Sequence, residues 1–145
     1  MAADDKPVPP SRVLIVDDNQ QNLELLAAYM EEVPNVTTVL ASNGREALAQ
    51  VATNAPDLIL LDVMMPKLSG FEVCRQLKAD PETRDIQIIM VTALNELGDH
   101  ERARDCGTDD FLTKPVDRVE LAARVKNLLR IRHTRREQKR GSAHK

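Results

Sequence analysis

The sequence contains very few aromatic residues and cysteines. It has no tryptophan, one tyrosine and two phenylalanines, although 42% of its residues are hydrophobic. We therefore predict an aliphatic core, in a chain whose 145 residues suffice for one domain. The two cysteines, Cys74 and Cys106, form no CxxC motif, which indicates a reducing, intracellular environment.

Long apolar runs and a strong net charge are also missing. No run approaches the roughly 18 apolar residues of a membrane span, so we expect a cytoplasmic protein without a membrane partner. The net charge is −3, but the stretch from residue 130 to the end holds seven basic residues and one acid. The preceding part therefore has 13 basic and 22 acidic residues. That acidic body disfavours general nucleic-acid binding.

Strand-like and helix-like segments alternate five times along the chain. Buried-type strands such as RVLIV, DLILL and IQIIMV alternate with amphipathic segments such as QQNLELLAAYM and DRVELAARVKNLLRIR. This alternation predicts an α/β fold: a five-stranded parallel sheet in the flavodoxin-like order 2-1-3-4-5, with helices on both faces. We expect a flexible arm over 1–11, the domain over 12–130, and a basic tail or linker start over 131–145.

Acidic residues follow two of the predicted strands. Asp17 and Asp18 end the first strand, and Asp62 ends the third, LILL. In a doubly wound sheet these strands are neighbours, and ligands bind beyond their carboxyl ends. Thr92 and Lys114 end the fourth and fifth strands, so five polar side chains should meet at one edge. The alternative for each is an ordinary strand-end, capping or turn residue.

Three neighbouring carboxylates repel one another, by about 3 kcal/mol per pair at ~5 Å and an effective dielectric of 20. Lys114 offers one compensating charge, so a divalent cation with oxygen ligands is expected, and Mg²⁺ suits a site with few carboxylates. A carboxylate, a metal, a hydroxyl and a lysine together indicate phosphoryl transfer to Asp62.

Four motifs lie in order at these strand ends: VDD, LLDVMMP followed by SG, VTA and LTKP. On these motifs, from about Arg12 to Leu129, the sequence resembles the receiver (CheY-like) domain of bacterial two-component response regulators. The resemblance implies that Asp62 is the phosphoacceptor and that a histidine kinase or phosphotransfer protein is the donor. It implies Asp18 and Asp62 as direct Mg²⁺ ligands, Asp17 acting largely through water, and the backbone carbonyl of Met64 as a further ligand.

The resemblance also assigns roles at the last two strands. Thr92 would bond one phosphoryl oxygen and Lys114 another, and the Lys114–Pro115 bond would be cis. Phe111 falls at the switch-aromatic position of the family, although sequence alone leaves open whether it is a core residue. The receiver would then change the face formed by helix 4, strand 5 and helix 5.

The output of such a receiver is open in the sequence. The segment from GFEVCRQ to the final helix is similar to receivers that precede diguanylate cyclase (GGDEF) domains, so the tail could lead to a cyclic-di-GMP output domain. Alternatives are a separate effector, a solvated helix end, or a homodimer through helices 4 and 5; a nucleic-acid tail is disfavoured. The three histidines have no metal-ligand spacing, and we predict them at the surface.

Two other functions use the same residues. A Mg²⁺-dependent phosphohydrolase would need a general acid or base and a substrate pocket. Position 64 is Met rather than the second Asp of an aspartate-based phosphatase, and there is no phosphate-binding glycine motif. A degenerate receiver acting as a constitutive binding module is the other alternative. We predict a phosphoacceptor rather than an enzyme.

Overall fold

The computed structural model describes residues 8–93 and 97–143. Five strands alternate with five helices in the order predicted from the sequence. The strands are β1 Ser11–Val16, β2 Val36–Ala41, β3 Leu58–Leu61, β4 Gln87–Thr92 and β5 Asp110–Thr113. The helices are α1 Gln20–Met30, α2 Gly44–Thr53, α3 Gly70–Ala79, α4 Leu97–Asp105 and α5 Arg118–Ala143.

The strands form one parallel sheet in the order β2-β1-β3-β4-β5, which confirms the predicted topology. In register, Val16 lies opposite Leu61, Leu61 opposite Met90, and Thr92 opposite Thr113. Strands 1, 3, 4 and 5 therefore end near the same edge, which we call the C-terminal edge of the sheet.

Alternating residues of the central strands supply two hydrophobic layers. Ile59 and Leu61 pack in a cluster with residues of α2, α3 and α4, whereas Leu58 and Leu60 pack in a second cluster with α1 and α5. This follows from the two-residue period of a strand with both faces covered. Aliphatic side chains dominate both layers, and Phe71 is the large aromatic exception.

Side-chain caps begin the first three helices close to the C-terminal edge. Asn19 accepts a hydrogen bond from the Asn22 N–H (3.1 Å), and Asn43 accepts one from Glu46 (2.8 Å). Ser69 caps α3 in the same way. Each cap satisfies an N–H that the first helical turn leaves free. These caps fix the loops that lead from the strands into α1, α2 and α3, at the edge of the sheet where the acidic residues lie.

Residues 8–11 are more buried, and the final helix is longer, than their composition suggests, whereas residues 1–7 of the predicted arm lie outside the described residues. Val8 and Ser11, both within the segment predicted as an arm, are buried. α5 is 26 residues long and continues through residue 131 without a break. Among the residues that the structure describes, no helix is both long enough and apolar enough to cross a membrane.

Candidate functional site

The acidic residues of the first and third strands meet at the C-terminal edge. Asp17 and Asp18 directly follow β1, and Asp62 directly follows β3, its N–H bonded to the Val16 carbonyl at 2.9 Å. One carboxylate oxygen from each of the three lies within 4.8 Å of the other two. Asp17 and Asp62 are buried, whereas Asp18 is exposed. The cluster that the sequence predicts is therefore formed by the fold.

Lys114 contacts the two buried acids of this cluster. Its Nζ lies 3.0 Å from Asp17 Oδ2 and 3.7 Å from Asp62 Oδ1. The Lys114 backbone N–H donates to the carbonyl of Thr92 at 2.7 Å, which ties the ends of β4 and β5 together. One ammonium group cannot neutralise three carboxylates. The cluster thus keeps an uncompensated negative charge.

Asp17 is held by two contacts to its carboxylate. Oδ1 accepts the Asn19 N–H at 2.9 Å, and Oδ2 accepts a hydrogen bond from Lys114. Asn19 in turn caps α1, so the geometry of the β1–α1 link fixes the carboxylate. Charge-assisted bonds of this kind are stronger than neutral ones. The Asp17 carboxylate is therefore fixed by a backbone donor and by a cation.

Asp62 has an unusual protonation equilibrium. Burial and, next, the charge of Asp17 raise its pKa from an ordinary 3.8 to about 6, with Asp18 adding to the rise. Lys114 and a hydrogen bond from the Met64 N–H oppose this rise. Desolvation disfavours the charged form of an acid, and nearby like charges do the same. An ionised Asp62 is therefore held at higher free energy than an exposed aspartate.

Thr92 and Phe111 occupy the neighbouring strands. Thr92 is fully buried as the last residue of β4. Phe111 lies in β5 opposite Met90, and its half-buried ring packs against the hydrophobic cluster on the α2, α3 and α4 face. The Lys114–Pro115 bond is cis, as the resemblance implies. The predicted switch residues, Thr92 and Phe111, thus lie on adjacent strands. The Thr92 carbonyl accepts the Lys114 N–H, which links Thr92 to the acidic cluster.

The loop after Asp62 places Met64 at the cluster. Its N–H bonds to the Asp62 carboxylate, while its side chain is 58% exposed. The contact made by its backbone is thus through the N–H, and the role of its carbonyl as a metal ligand stays a prediction.

Gly70, in the SG pair that follows the LLDVMMP motif, supports the loop after Asp62. Its N–H donates to the Val63 carbonyl at 3.0 Å, which closes the loop over residues 63–69. A Cβ at this position would lie 2.3 Å from the backbone oxygen of Asp62. Only glycine permits so close an approach. The SG pair after the loop was the available signal, and the contact itself needs the three-dimensional fold.

Comparisons with known proteins agree with this geometry. The family model "Response regulator receiver domain" matches residues 13–126. Response regulator PleD of Caulobacter vibrioides is 49% identical over 123 residues, which are 84% of this chain and 27% of PleD. RpaA of Synechocystis is 41% identical over 119 residues, which are 82% of this chain and 49% of RpaA. The chain thus spans about a quarter of the length of PleD and about half the length of RpaA.

Solved structures show the same fold. The signal receiver domain of a signal transduction histidine kinase from Syntrophus aciditrophicus has a TM-score of 0.77 and 42% identity. The match covers 82% of this chain and 89% of that one. A BeF3-activated DrrB receiver domain has a TM-score of 0.71 and 31% identity, over 83% of this chain and 97% of that one.

The acidic cluster of Asp17, Asp18 and Asp62 is typical of the Mg²⁺ site of receivers. Receiver domains pair with histidine kinases and are phosphoacceptor modules rather than enzymes in the usual sense, which argues against the hydrolase alternative. The family model matches most of this chain, and the predicted sheet order and acidic cluster are both present. The chain therefore belongs to the response regulator receiver family and is a phosphorylation-activated signalling domain.

Proposed function

We propose that Asp62 accepts the phosphoryl group, delivered by a histidine kinase or a phosphotransfer protein. The observation that carries this proposal is the placement of Asp62 between an excess of carboxylates and a single lysine. A buried acid whose pKa is raised to about 6 by its surroundings is a common sign of a functional group. At neutral pH it is still largely ionised, so it can act as a nucleophile.

In the reaction, a carboxylate oxygen of Asp62 attacks the phosphorus of the donor. A phosphorus–oxygen bond forms, and the bond to the donor breaks, so that the donor leaves with the bonding electron pair. Lys114, now 3.7 Å from Asp62 Oδ1, pairs with one phosphoryl oxygen. The Thr92 hydroxyl donates to another. Such positioned charges and donors provide most of the catalysis in phosphoryl transfer.

The residues present fit a bound Mg²⁺. Three carboxylate oxygens within 4.8 Å of one another form a hard-oxygen donor set that Lys114 only partly neutralises. Asp17, Asp18, Asp62 and the Met64 carbonyl would hold the ion. When bound, Mg²⁺ would neutralise charge on the carboxylates and on the phosphoryl oxygens. This chain's own residues supply the nucleophile and the remaining donors.

The output is proposed to be a rearrangement of the face formed by α4, β5 and α5. Arg124 of α5 makes a two-contact ion pair with Asp110 of β5, at 2.7 and 2.8 Å, and bonds Glu120 at 3.1 Å. When Thr92 turns toward the phosphoryl group, Phe111 moves toward the vacated space. The altered face then controls a partner, a second copy of the chain, or an output domain such as one of the cyclic-di-GMP type.

The test is phosphorylation by acetyl phosphate followed by intact mass measurement. With Mg²⁺, the parent is expected to gain one phosphoryl group, and Asp62→Asn none. Chelation of Mg²⁺ should suppress the gain in the parent. If the parent gains nothing in Mg²⁺ and does not bind beryllofluoride, the chain is a degenerate receiver that acts as a constitutive binding module.

A further inference from the structure

Residues 131–136 of α5 contact the N-terminal edge of the sheet, where β1 and β3 begin, opposite the acidic cluster. We call residues 131–138 of this helix the α5 extension. Ile131 packs against the hydrophobic cluster shared by α1 and α5, and the next turn reaches the starts of β1 and β3. The extension is therefore in contact with the body of the domain.

Asp57, immediately before β3, is the centre of these contacts. Its Oδ2 accepts the Arg12 N–H at 2.9 Å, and its Oδ1 lies 3.4 Å from both Arg132 Nε and Arg136 Nη1. The side chains of Asp57 and Arg132 are only 11% and 13% exposed, whereas that of Arg136 is 46% exposed. The two 3.4 Å contacts are long for hydrogen bonds, so their attraction is mainly Coulombic.

His133 makes a second, uncharged connection. Its Nε2 lies 2.8 Å from the Ser11 hydroxyl, which itself donates to the Pro9 carbonyl at 2.7 Å. Because the single hydroxyl proton is used toward Pro9, Nε2 of His133 must carry the proton and donate. His133, which the sequence predicts at the surface, is partly exposed and partly buried at this contact.

The extension has little reason to stay helical by itself. Its sequence, IRHTRREQ, contains three arginines, Arg132, Arg135 and Arg136, and Arg130 directly precedes it. Repulsion among such charges and the marginal stability of short isolated helices both favour fraying. Tertiary contacts must supply the difference, and Asp57 is the acid that meets two of these arginines.

We propose that Asp57 is a positioning residue that fastens the α5 extension to the receiver body, so that the two move as one rigid unit. Any partner bound to the extension is then held at a fixed orientation to the α4, β5 and α5 face. This role does not depend on phosphoryl transfer to Asp62, so the two proposals can fail separately.

The test is hydrogen–deuterium exchange of the full chain, followed by mass spectrometry of peptides over 131–138. The parent should be protected there. In Asp57→Asn, exchange of this segment should accelerate about tenfold, as expected from losing charge-assisted contacts. Arg132→Gln should have a larger effect than the more exposed Arg136→Gln. Arg135→Gln, an exposed site with the same change of charge, is the matched control and should behave as the parent.

Asp57→Asn could accelerate exchange by a general loss of stability instead of a local release of the extension. The double variant Arg132→Gln/Arg136→Gln separates these two causes, because it keeps the bond from the Arg12 N–H to Asp57. That double variant should accelerate exchange in 131–138 and leave β1 and β3 protected, and adding Asp57→Asn to it should give little further local change. The proposal is overturned by an unprotected extension in the parent. It is equally overturned if the double variant exchanges like the parent, or accelerates exchange in β1 and β3 as much as in 131–138.

Discussion

Strand β3 has a buried aspartate at each end, and their surroundings differ. Asp57 precedes the strand and has one backbone N–H and two guanidinium groups around its carboxylate. Asp62 follows the strand and shares one lysine with Asp17, with Asp18 close by. The two residues are similarly buried, at 7% and 5% exposure. The difference lies in charge compensation.

The comparison separates an acid whose charge is compensated within the protein from the proposed phosphoacceptor. Burying a carboxylate is costly unless cations and donors surround it. At Asp57 that requirement is met within the protein, and the acid joins two parts of the fold. At Asp62 that requirement is not met within the protein, so the site favours a bound proton or a divalent cation.

The largest effect is expected at Gly70, where the backbone approaches Asp62. Gly70→Ala would place a methyl group 2.3 Å from the Asp62 backbone oxygen, which cannot move without shifting β3. We expect the free energy of unfolding to fall by about 3 kcal/mol, measured by urea denaturation. Gly44→Ala, whose nearest neighbour is the end of the Leu68 side chain, should cost less. Equal losses would show that the loop over Asp62 adapts more easily than its geometry indicates.

Asp57→Asn should destabilise the protein. The change leaves the largely buried Arg132 without its carboxylate, although the amide can still accept the Arg12 N–H. We expect a loss of about 2 kcal/mol in urea denaturation at pH 7, below the value for a well-formed buried pair because both contacts are long. An unchanged stability would mean that the two arginines contribute nothing net to the folded state, and a gain would mean that Asp57 is as poorly compensated as Asp62.

Asp62→Asn should have the opposite sign in metal-free buffer. Because the folded pKa of about 6 exceeds the ordinary 3.8, the folded state binds the proton more tightly, and ionised Asp62 costs stability above pH 6. Removing the charge should raise the free energy of unfolding at pH 7 by about 2 kcal/mol. The gain should shrink between pH 6 and pH 4 and vanish below. Urea denaturation across this range checks it, and a gain independent of pH would contradict it.

The smallest effect is expected at Arg136. Its half-exposed side chain makes one long contact with Asp57, so Arg136→Gln should cost about 0.5 kcal/mol or less. High salt should reduce even this difference. Arg132→Gln is the buried comparison and should cost more. If the two variants lose equal stability, burial does not set the strength of the contacts that Arg132 and Arg136 make with Asp57.

The acidic cluster at the C-terminal edge could be predicted from the sequence because each of its residues follows a recognisable strand. Strand order alone brings Asp17, Asp62 and Lys114 together, whatever the details of packing. The contacts of Asp57 at the N-terminal edge could not be predicted in this way. Asp57 and Arg132 are 75 residues apart, and their contact depends on the length and direction of α5. Ser11 and His133 are 122 residues apart and carry no motif.

The remaining surprises have the same origin. Val8 is buried in the hydrophobic cluster shared by α1 and α5, and Asn35 donates to its carbonyl at 3.0 Å; a Pro-rich composition does not indicate such contacts. Gly70 is required by a distance to another backbone segment. Periodicity and strand-end chemistry report on local structure, whereas these positions are decided by contacts between distant segments.

The most direct test of the account uses the two ends of β3 in one phosphorylation assay. Parent, Asp57→Asn and Asp62→Asn are incubated with acetyl phosphate and Mg²⁺, and intact masses are compared. The account predicts one added phosphoryl group on the parent and on Asp57→Asn, and none on Asp62→Asn. A phosphoryl group on Asp62→Asn, or its absence from a folded Asp57→Asn, would contradict the assignment of the chemistry to the C-terminal edge.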